Sequence, residues 1–303
     1  MHITKPTEQN KSRTSLKKNS LALLYSALFL CLLILASCAP KQKKASVPSR
    51  IICLSPSAAE IVCAIGAFSS IAARTSFCTY PEEMSTVPSV GGFDGKSLSV
   101  EKIMSFKPDF VYGADGMHNA IARQLELLGV TVYLGNGADG IDETLAEIEY
   151  ISALLEKDSE GKKIIQHIQE QIQSVPKSVP IQSVYYEVWS EPFITAGKNS
   201  LIHDLLEAAG YKNSFGTLNE SYPMISEESI LARQPDIIIV PDMNGTSIAS
   251  IKSRNGWEQI PAVKNSRIFF IDADLVSRPG PRIADAVAAL SNLENSRAYL
   301  PEK

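Results

Sequence analysis

Leu98-Ser-Val-Glu-Lys-Ile-Met-Ser-Phe-Lys-Pro-Asp-Phe-Val-Tyr112 recurs without a gap as Ile225-Ser-Glu-Glu-Ser-Ile-Leu-Ala-Arg-Gln-Pro-Asp-Ile-Ile-Ile239. Ser, Glu, Ile, Pro and Asp match at a constant offset of 127 residues. Each copy reads as a Ser N-cap, a helix with one apolar face, a Pro-Asp turn and a buried strand. The same order is common grammar in α/β chains, so duplicated halves and shared grammar both explain it. Either way, the chain carries two α/β units.

Between the copies the pattern changes. Ile141, Leu145, Ile148, Ile151 and Leu155 repeat at helical spacing, and Ile164, Ile165, Ile168 and Ile172 do so after a polar break at 157–160. Two helices in series with no strand between them read as a connector. A helix of about 15 residues spans about 22 Å, enough to bridge two lobes stiffly.

Around this connector, apolar strand-like runs alternate with helical ones, the signature of parallel α/β units. Strands are expected near 51–54, 71–74, 109–113 and 130–134 in the first half, and near 184–188, 236–240 and 267–271 in the second. Helices are expected near 56–65, 99–106, 117–128, 200–209, 226–233 and 281–293, with a long loop over 75–96. The fold class is therefore α/β. Two α/β lobes with parallel sheets are expected, joined by a long bridging helix. The boundaries are 1–37 leader, 38–49 tether, 50–137 first lobe, 138–177 connecting helices and 178–303 second lobe.

The chain has 303 residues, 45% apolar and 20% charged, with a net charge of −4. That is globular composition, and the length suits about two domains. Five basic residues and one acid precede Cys38, so the remainder is more acidic than the whole, which argues against nucleic-acid binding. The leader has a basic stretch at 11–18 and an apolar run at 21–35, the layout of a secretory signal and short for a membrane span. Leu35-Ala-Ser-Cys38 resembles a bacterial lipobox. It implies cleavage before Cys38 and diacylation of its thiol, which holds a protein at a membrane more firmly than one chain does. An uncleaved single-span anchor is the alternative. The expected location is extracytoplasmic (periplasmic), lipid-anchored at Cys38. Cys53, Cys63 and Cys78 show no CxxC spacing and read as buried free thiols.

In open α/β sheets ligands bind beyond the carboxyl ends of the strands. There lie Phe77, Tyr80, Phe93, Trp189, Asp274, Arg278 and Arg282. Aromatic rings suit a large flat ligand and arginines suit carboxylate or amide oxygens, although Arg282 equally suits bracing a helix. His118, in the first turn of a helix beyond a strand end, reads as solvated and is a weak candidate metal ligand. No His, Cys, Asp or Glu cluster has metal-ligand spacing, so no metal or cofactor of the protein's own is expected. Phosphate-loop, nucleophile-elbow and zinc-protease motifs are lacking, so no enzyme is expected. Glu101 and Glu228 occupy equivalent first turns. There a carboxylate favours the helix dipole, which is enough to account for both; the functional alternative is that two symmetric acids form a charged docking face.

Arg50-Ile-Ile-Cys-Leu-Ser-Pro-Ser-Ala-Ala-Glu60, Tyr80-Pro81, Val90-Gly91, Val100-Glu-Lys-Ile-Met-Ser-Phe-Lys-Pro-Asp109, Thr195-Ala-Gly-Lys198 and Arg278-Pro-Gly-Pro-Arg282 run in that order over residues 50–293. As an ordered set they resemble the iron-chelate and vitamin B12 class of ABC-transporter substrate-binding proteins. The resemblance implies two Rossmann-like lobes with central parallel sheets joined by a long rigid helix, with the ligand held in a cleft between the lobes and little closure. Glu101 and Glu228 match the acids that pair with arginines on the permease dimer. Phe77 matches a cleft aromatic, and the loop 274–278 matches the one facing it. That loop is aromatic-rich in the B12 binder and reads Asp-Leu-Val-Ser-Arg here, with Trp189 as a substitute platform. The cargo implied is cobalamin, a ferric siderophore or haem, carried by a monomer to an inner-membrane permease. A chelatase-like enzyme and a structural or adhesive lipoprotein are the other classes such a chain could serve.

Overall fold

The computed structural model describes residues 46–176, 180–243 and 245–294. The echo that opens the sequence is a structural repeat. In the first copy Ser99 accepts the Lys102 N–H at 3.3 Å and starts α2 (Val100–Ser105), which leads into β4 (Phe110–Ala114). In the second, Ser226 accepts the Ser229 N–H at 3.3 Å and starts α7 (Glu227–Arg233), which leads into β9 (Ile237–Pro241). Lys107 and Gln234, again 127 apart, both take left-handed backbone (φ 51° and 46°) to reverse the chain. The aspartate of each Pro-Asp turn ties down the start of the neighbouring strand. Asp109 accepts the backbone N–H groups of Ser49 and Arg50, each at 2.9 Å, and Asp236 accepts that of Ser183 at 2.9 Å. The Ser49 and Ser183 hydroxyls donate to the same carboxylates.

The first sheet contains β1 (Ile51–Cys53), β2 (Ile71–Thr75), β3 (Ser89–Gly91), β4 and β5 (Thr131–Gly135). All pairs are parallel and the order is β3-β2-β1-β4-β5. Helices α1 (Pro56–Ala64) and α3 (Asn119–Leu127) complete this lobe with α2. The second sheet orders β10 (Ile268–Ile271), β9, β6 (Ser183–Ser190) and β7 (Phe193–Thr195), with β8 (Lys212–Asn213) beside the start of β6. Its pairs are parallel except β6–β7, a hairpin at the end of β6. Around it lie α6 (Leu201–Ala208), α7, α8 (Ile248–Lys252), α9 (Pro261–Lys264), α10 (Ala273–Ser277) and α11 (Ile283–Ser291). Two expectations need correction. The stretch 75–96 is not one loop, because it holds β3. The second sheet is not wholly parallel, because of β7. Both strands are three residues long, too short to show a period.

The connector is α4 (Ile141–Leu154) followed by α5 (Asp158–Ser174). Helix α4, about 21 Å long, packs on α1 of the first lobe and α6 of the second. Helix α5 turns back along α4 and lies on α11. Gly161 allows that close approach, since a Cβ there would stand 2.1 Å from the Ser152 hydroxyl. Asp204 of α6 accepts the Ile141 N–H at 3.0 Å and so caps α4 from the second lobe. One apolar core runs from Ile51 and Tyr112 through Leu145, Ile148 and Ile151 to Leu205 and Val287, uniting both lobes. Each sheet buries its other face in a separate cluster, around Val111 and Leu125 in the first lobe and around Ile238 and Trp257 in the second. Cys53 and Cys78 are buried and Cys63 half-buried, all as free thiols. Burial pushes the Cys63 thiol up to about 12.

Glu147 sits inside this frame, 4% exposed. It accepts the Tyr112 hydroxyl and, at 2.8 Å, the Gly137 N–H. Burial raises its pKa above the ordinary value of 4.5, against these two bonds. A carboxyl whose pKa is raised on folding stabilises below its unfolded pKa and loses that contribution as pH rises through the folded one. Wild type should therefore match Glu147→Gln near pH 4 and fall behind it towards pH 8, with a slope of at most about 1.4 kcal/mol per pH unit. Urea unfolding of the pair at several pH values measures this. Parallel profiles would show the carboxyl is not carrying the effect.

Candidate ligand-binding cleft

The carboxyl ends of the strands place the candidate residues. In the first lobe Phe77 and Tyr80 follow β2, Phe93 follows β3, and Met117 with His118 follows β4. Phe77 is 54% exposed and leans on Phe93 at 5.9 Å between ring centroids. Phe93 in turn meets the edge of His118 at 5.4 Å. His118 corrects an expectation, for it is fully buried rather than solvated or free to bind metal. Its Nδ1 accepts the Ala114 N–H at 2.9 Å, which leaves Nε2–H to donate to the Phe93 carbonyl at 2.8 Å. Burial lowers its pKa, so it stays neutral and holds the Phe93 loop.

In the second lobe Trp189 ends β6, 46% exposed, with its indole N–H on the Glu191 carbonyl at 2.9 Å. Met243 follows β9, and Met224 bridges to Ile194 of the hairpin, placing Tyr222 beside it. Tyr222, Met224 and Met243 are exposed, as is Met117. Burial of its hydroxyl and the charge of Asp139 raise the Tyr222 pKa, and Asp139 lies beyond β5 of the first lobe. Met117 and Met243 lie in strand-end segments, 115–119 and 242–245, that the sequence marks as cleft candidates without singling out the methionines, and Tyr222 and Met224 escaped the sequence reading. A signal was present, since each follows directly on a strand end or its partner loop.

At the junction the arginines are engaged. Arg278, read from sequence as a ligand contact, has an 11% exposed side chain bonded to Asp274 and, at 3.3 Å, to Glu60. Arg282 grips Glu60 with two bonds of 2.8 and 2.7 Å and stacks on Tyr80, 4.2 Å from the ring centre. Asp274 itself is exposed on α10. The accessible charge at the strand ends is mostly acidic, from Asp94, Asp115, Asp139, Glu191 and Asp242 against Lys96, while Asp274 is taken up by Arg278.

Glu101 and Glu228 are exposed in the first turns of α2 and α7. Each helix feeds a parallel strand and runs opposite to it, so its N-terminus lies towards the carboxyl ends of the sheet. The two acids thus share the side of the molecule that bears the aromatics. Bonds from its own N–H and from Ser226 hold the Glu228 carboxyl below its usual range. Cys38 lies outside the described residues. A groove of about 670 Å³ runs along the open edge of β10, from Ser266 to Asp272 and Leu275. Among the described residues no helix is long and apolar enough to cross a membrane.

The chain is similar in sequence and fold to known proteins. A substrate-binding lipoprotein of an ABC transporter from Bacillus subtilis, YvrC, is 32% identical, over 80% of this chain and 79% of its own. A crystal structure from Staphylococcus epidermidis, described as a possible iron-binding (periplasmic solute-binding) protein, superposes with a TM-score of 0.73 at 34% identity, covering 82% of this chain and 98% of that one. The periplasmic vitamin B12 binding protein BtuF of Vibrio cholerae gives 0.67 at 25% identity, with 83% and 99% covered. The periplasmic binding protein model matches residues 51–275, from β1 through α10 and hence across both lobes, and the chain belongs to that family.

Proposed function

We propose that this protein captures a bulky metal chelate between its lobes and hands it unaltered to the permease of an ABC importer. The observation that carries this reading is the pair of half-exposed aromatic surfaces at the strand ends, Phe77 and Tyr80 on one lobe and Trp189 and Tyr222 on the other. Interdomain clefts lined with such rings and few polar groups are where flat ligands bind. Methionines 117, 224 and 243 add adaptable apolar surface. The likeness to BtuF and to the staphylococcal protein supports a corrinoid or an iron chelate as cargo.

Charge favours the corrinoid. The accessible rim is mostly acidic and the junction arginines are neutralised by Glu60 and Asp274. A ligand with amide arms fits that rim better than a polyanionic catecholate or haem propionates do. The leader, Cys38 and the polar residues up to Ser49 support a lipid anchor outside the cytoplasm, as does the lipoprotein name of the Bacillus relative.

The test is a fluorescence titration with cyanocobalamin, a ferric hydroxamate and haemin. Trp257 is fully buried and Trp189 half exposed, so a cleft ligand quenches Trp189 first. Saturable quenching by cyanocobalamin at about micromolar concentration or below, lost in Trp189→Phe, is the expected result. If none of the three chelates gives a saturable response, the reading is wrong.

A further inference from the structure

Glu60 is the one acid in the apolar run Ala58-Ala-Glu-Ile-Val62, and it faces no partner on its own helix. Its carboxylate is 2% exposed and meets two guanidiniums from the far end of the chain. Arg282 binds it through Nε and Nη2 at 2.8 and 2.7 Å, and Arg278 through Nη1 at 3.3 Å. Glu60 belongs to the first lobe and both arginines to the segment between α10 and α11 of the second. Asp274 occupies the other side of Arg278, so the four formal charges cancel. The two-pronged Arg282 pair is directional as well as strong. Removing one member of such a shielded set strands the opposite charges.

The other face of Arg282 carries Tyr80, whose ring is 48% exposed. Glu60 thus acts on a cleft aromatic through one intermediary and touches no solvent-facing surface itself. We propose that Glu60 is a positioning residue: it clamps Arg282 across the lobe junction, holds Tyr80 in place as a wall of the cleft, and so sets the gap before cargo arrives. This rests on the cleft reading above, since Tyr80 must face the cargo. A gap fixed beforehand saves ordering entropy on binding.

The test combines affinity with a readout that needs no cargo. Cyanocobalamin affinity is measured for wild type, Glu60→Gln, Arg282→Met, Tyr80→Ala and their pairwise combinations. Each single variant should bind about tenfold more weakly, a typical coupling between contacting residues. Combined variants should be no weaker than the singles, because all three break one chain of contacts. Additive losses would overturn the proposal, because a general loss of stability has no reason to converge on Tyr80. Should Glu60→Gln fail to fold, the Arg282→Met and Tyr80→Ala pair carries the same cycle.

Hydrogen exchange of the cargo-free protein gives the second arm. Glu60→Gln, or Arg282→Met in its place, should speed exchange in both α1 and residues 278–291, while β4 and β9 stay protected. Unchanged exchange on either side of the junction would also overturn the clamp. If cyanocobalamin fails to bind wild type, the cleft reading falls, and the exchange arm still judges the clamp by itself.

Discussion

Alanine at both Phe77 and Trp189 should weaken cargo binding by on the order of 10³-fold, while thermal unfolding stays within a few degrees of wild type. Buried aromatic anchors at an interface are each worth about 2 kcal/mol or more on truncation, and two of them make about 4 kcal/mol. The two rings sit on different lobes and have no contact with each other, so each supplies its own face of the ligand. Stability should hardly change, because both rings are about half exposed in the free protein. Phe77 gives up only its tilted contact with Phe93. Trp189 gives up one hydrogen bond to the next turn of its own hairpin. Calorimetric titration of the two single variants and the double variant reads the effect directly. Affinity within threefold of wild type in the double variant would remove the aromatic platform from the mechanism. A loss confined to one ring would place the cargo on a single lobe.

The sequence carried the scaffold further than the site, for a physical reason. Strands of the parallel sheets are buried on both faces, so they read as apolar runs such as 237–241 without any alternation to decipher. The connector helices announce themselves by period. The Pro-Asp echo even located the lock between neighbouring strands, although the role of Asp109 and Asp236 emerged only with Ser49 and Ser183 in view. Contacts between distant parts of the chain leave no such local pattern. Arg278 looked available because Glu60, which buries it at the junction, is 218 residues away; only its other partner, Asp274 four residues back, is local. His118 looked solvated because the backbone groups it serves, at Ala114 and Phe93, come from two different strand ends. One clue was there to use. A single acid inside an apolar helix demands a cation, and Arg278 and Arg282, four residues apart, were among the few arginines beyond a strand end. The methionines of the rim offered less. Methionine is a common core residue, so only its place after a strand distinguishes Met117 or Met243.

Replacing Glu101 and Glu228 together by alanine should leave cargo affinity unchanged and reduce uptake by at least about a hundredfold. Both are exposed, each in the first turn of a helix whose cap is supplied by a serine rather than by the glutamate. Their loss therefore costs the fold little: the dipole interaction at each site and, at Glu228, the solvent-exposed bonds from its own N–H and Ser226. Neither is placed at the lobe junction or among the aromatics, so the cleft should be untouched. Yet both lie towards the carboxyl ends of their sheets, one per lobe, so a partner that meets them also faces the cargo. Charges so placed steer encounter and fix register. Truncating one becomes costly when a complementary cation is desolvated against it and is left unpaired. Arginines on a permease dimer are the complement the proposed function calls for, one subunit to each lobe. Single variants should fall between wild type and the double variant. Lysine at both positions should be worse than alanine, since it sets like charges against each other. Uptake in cells or in vesicles with the reconstituted importer, measured beside cargo affinity, separates the outcomes. Full uptake by the double alanine variant would end the docking role. A loss of cargo affinity would move the two acids from the docking face into the cleft.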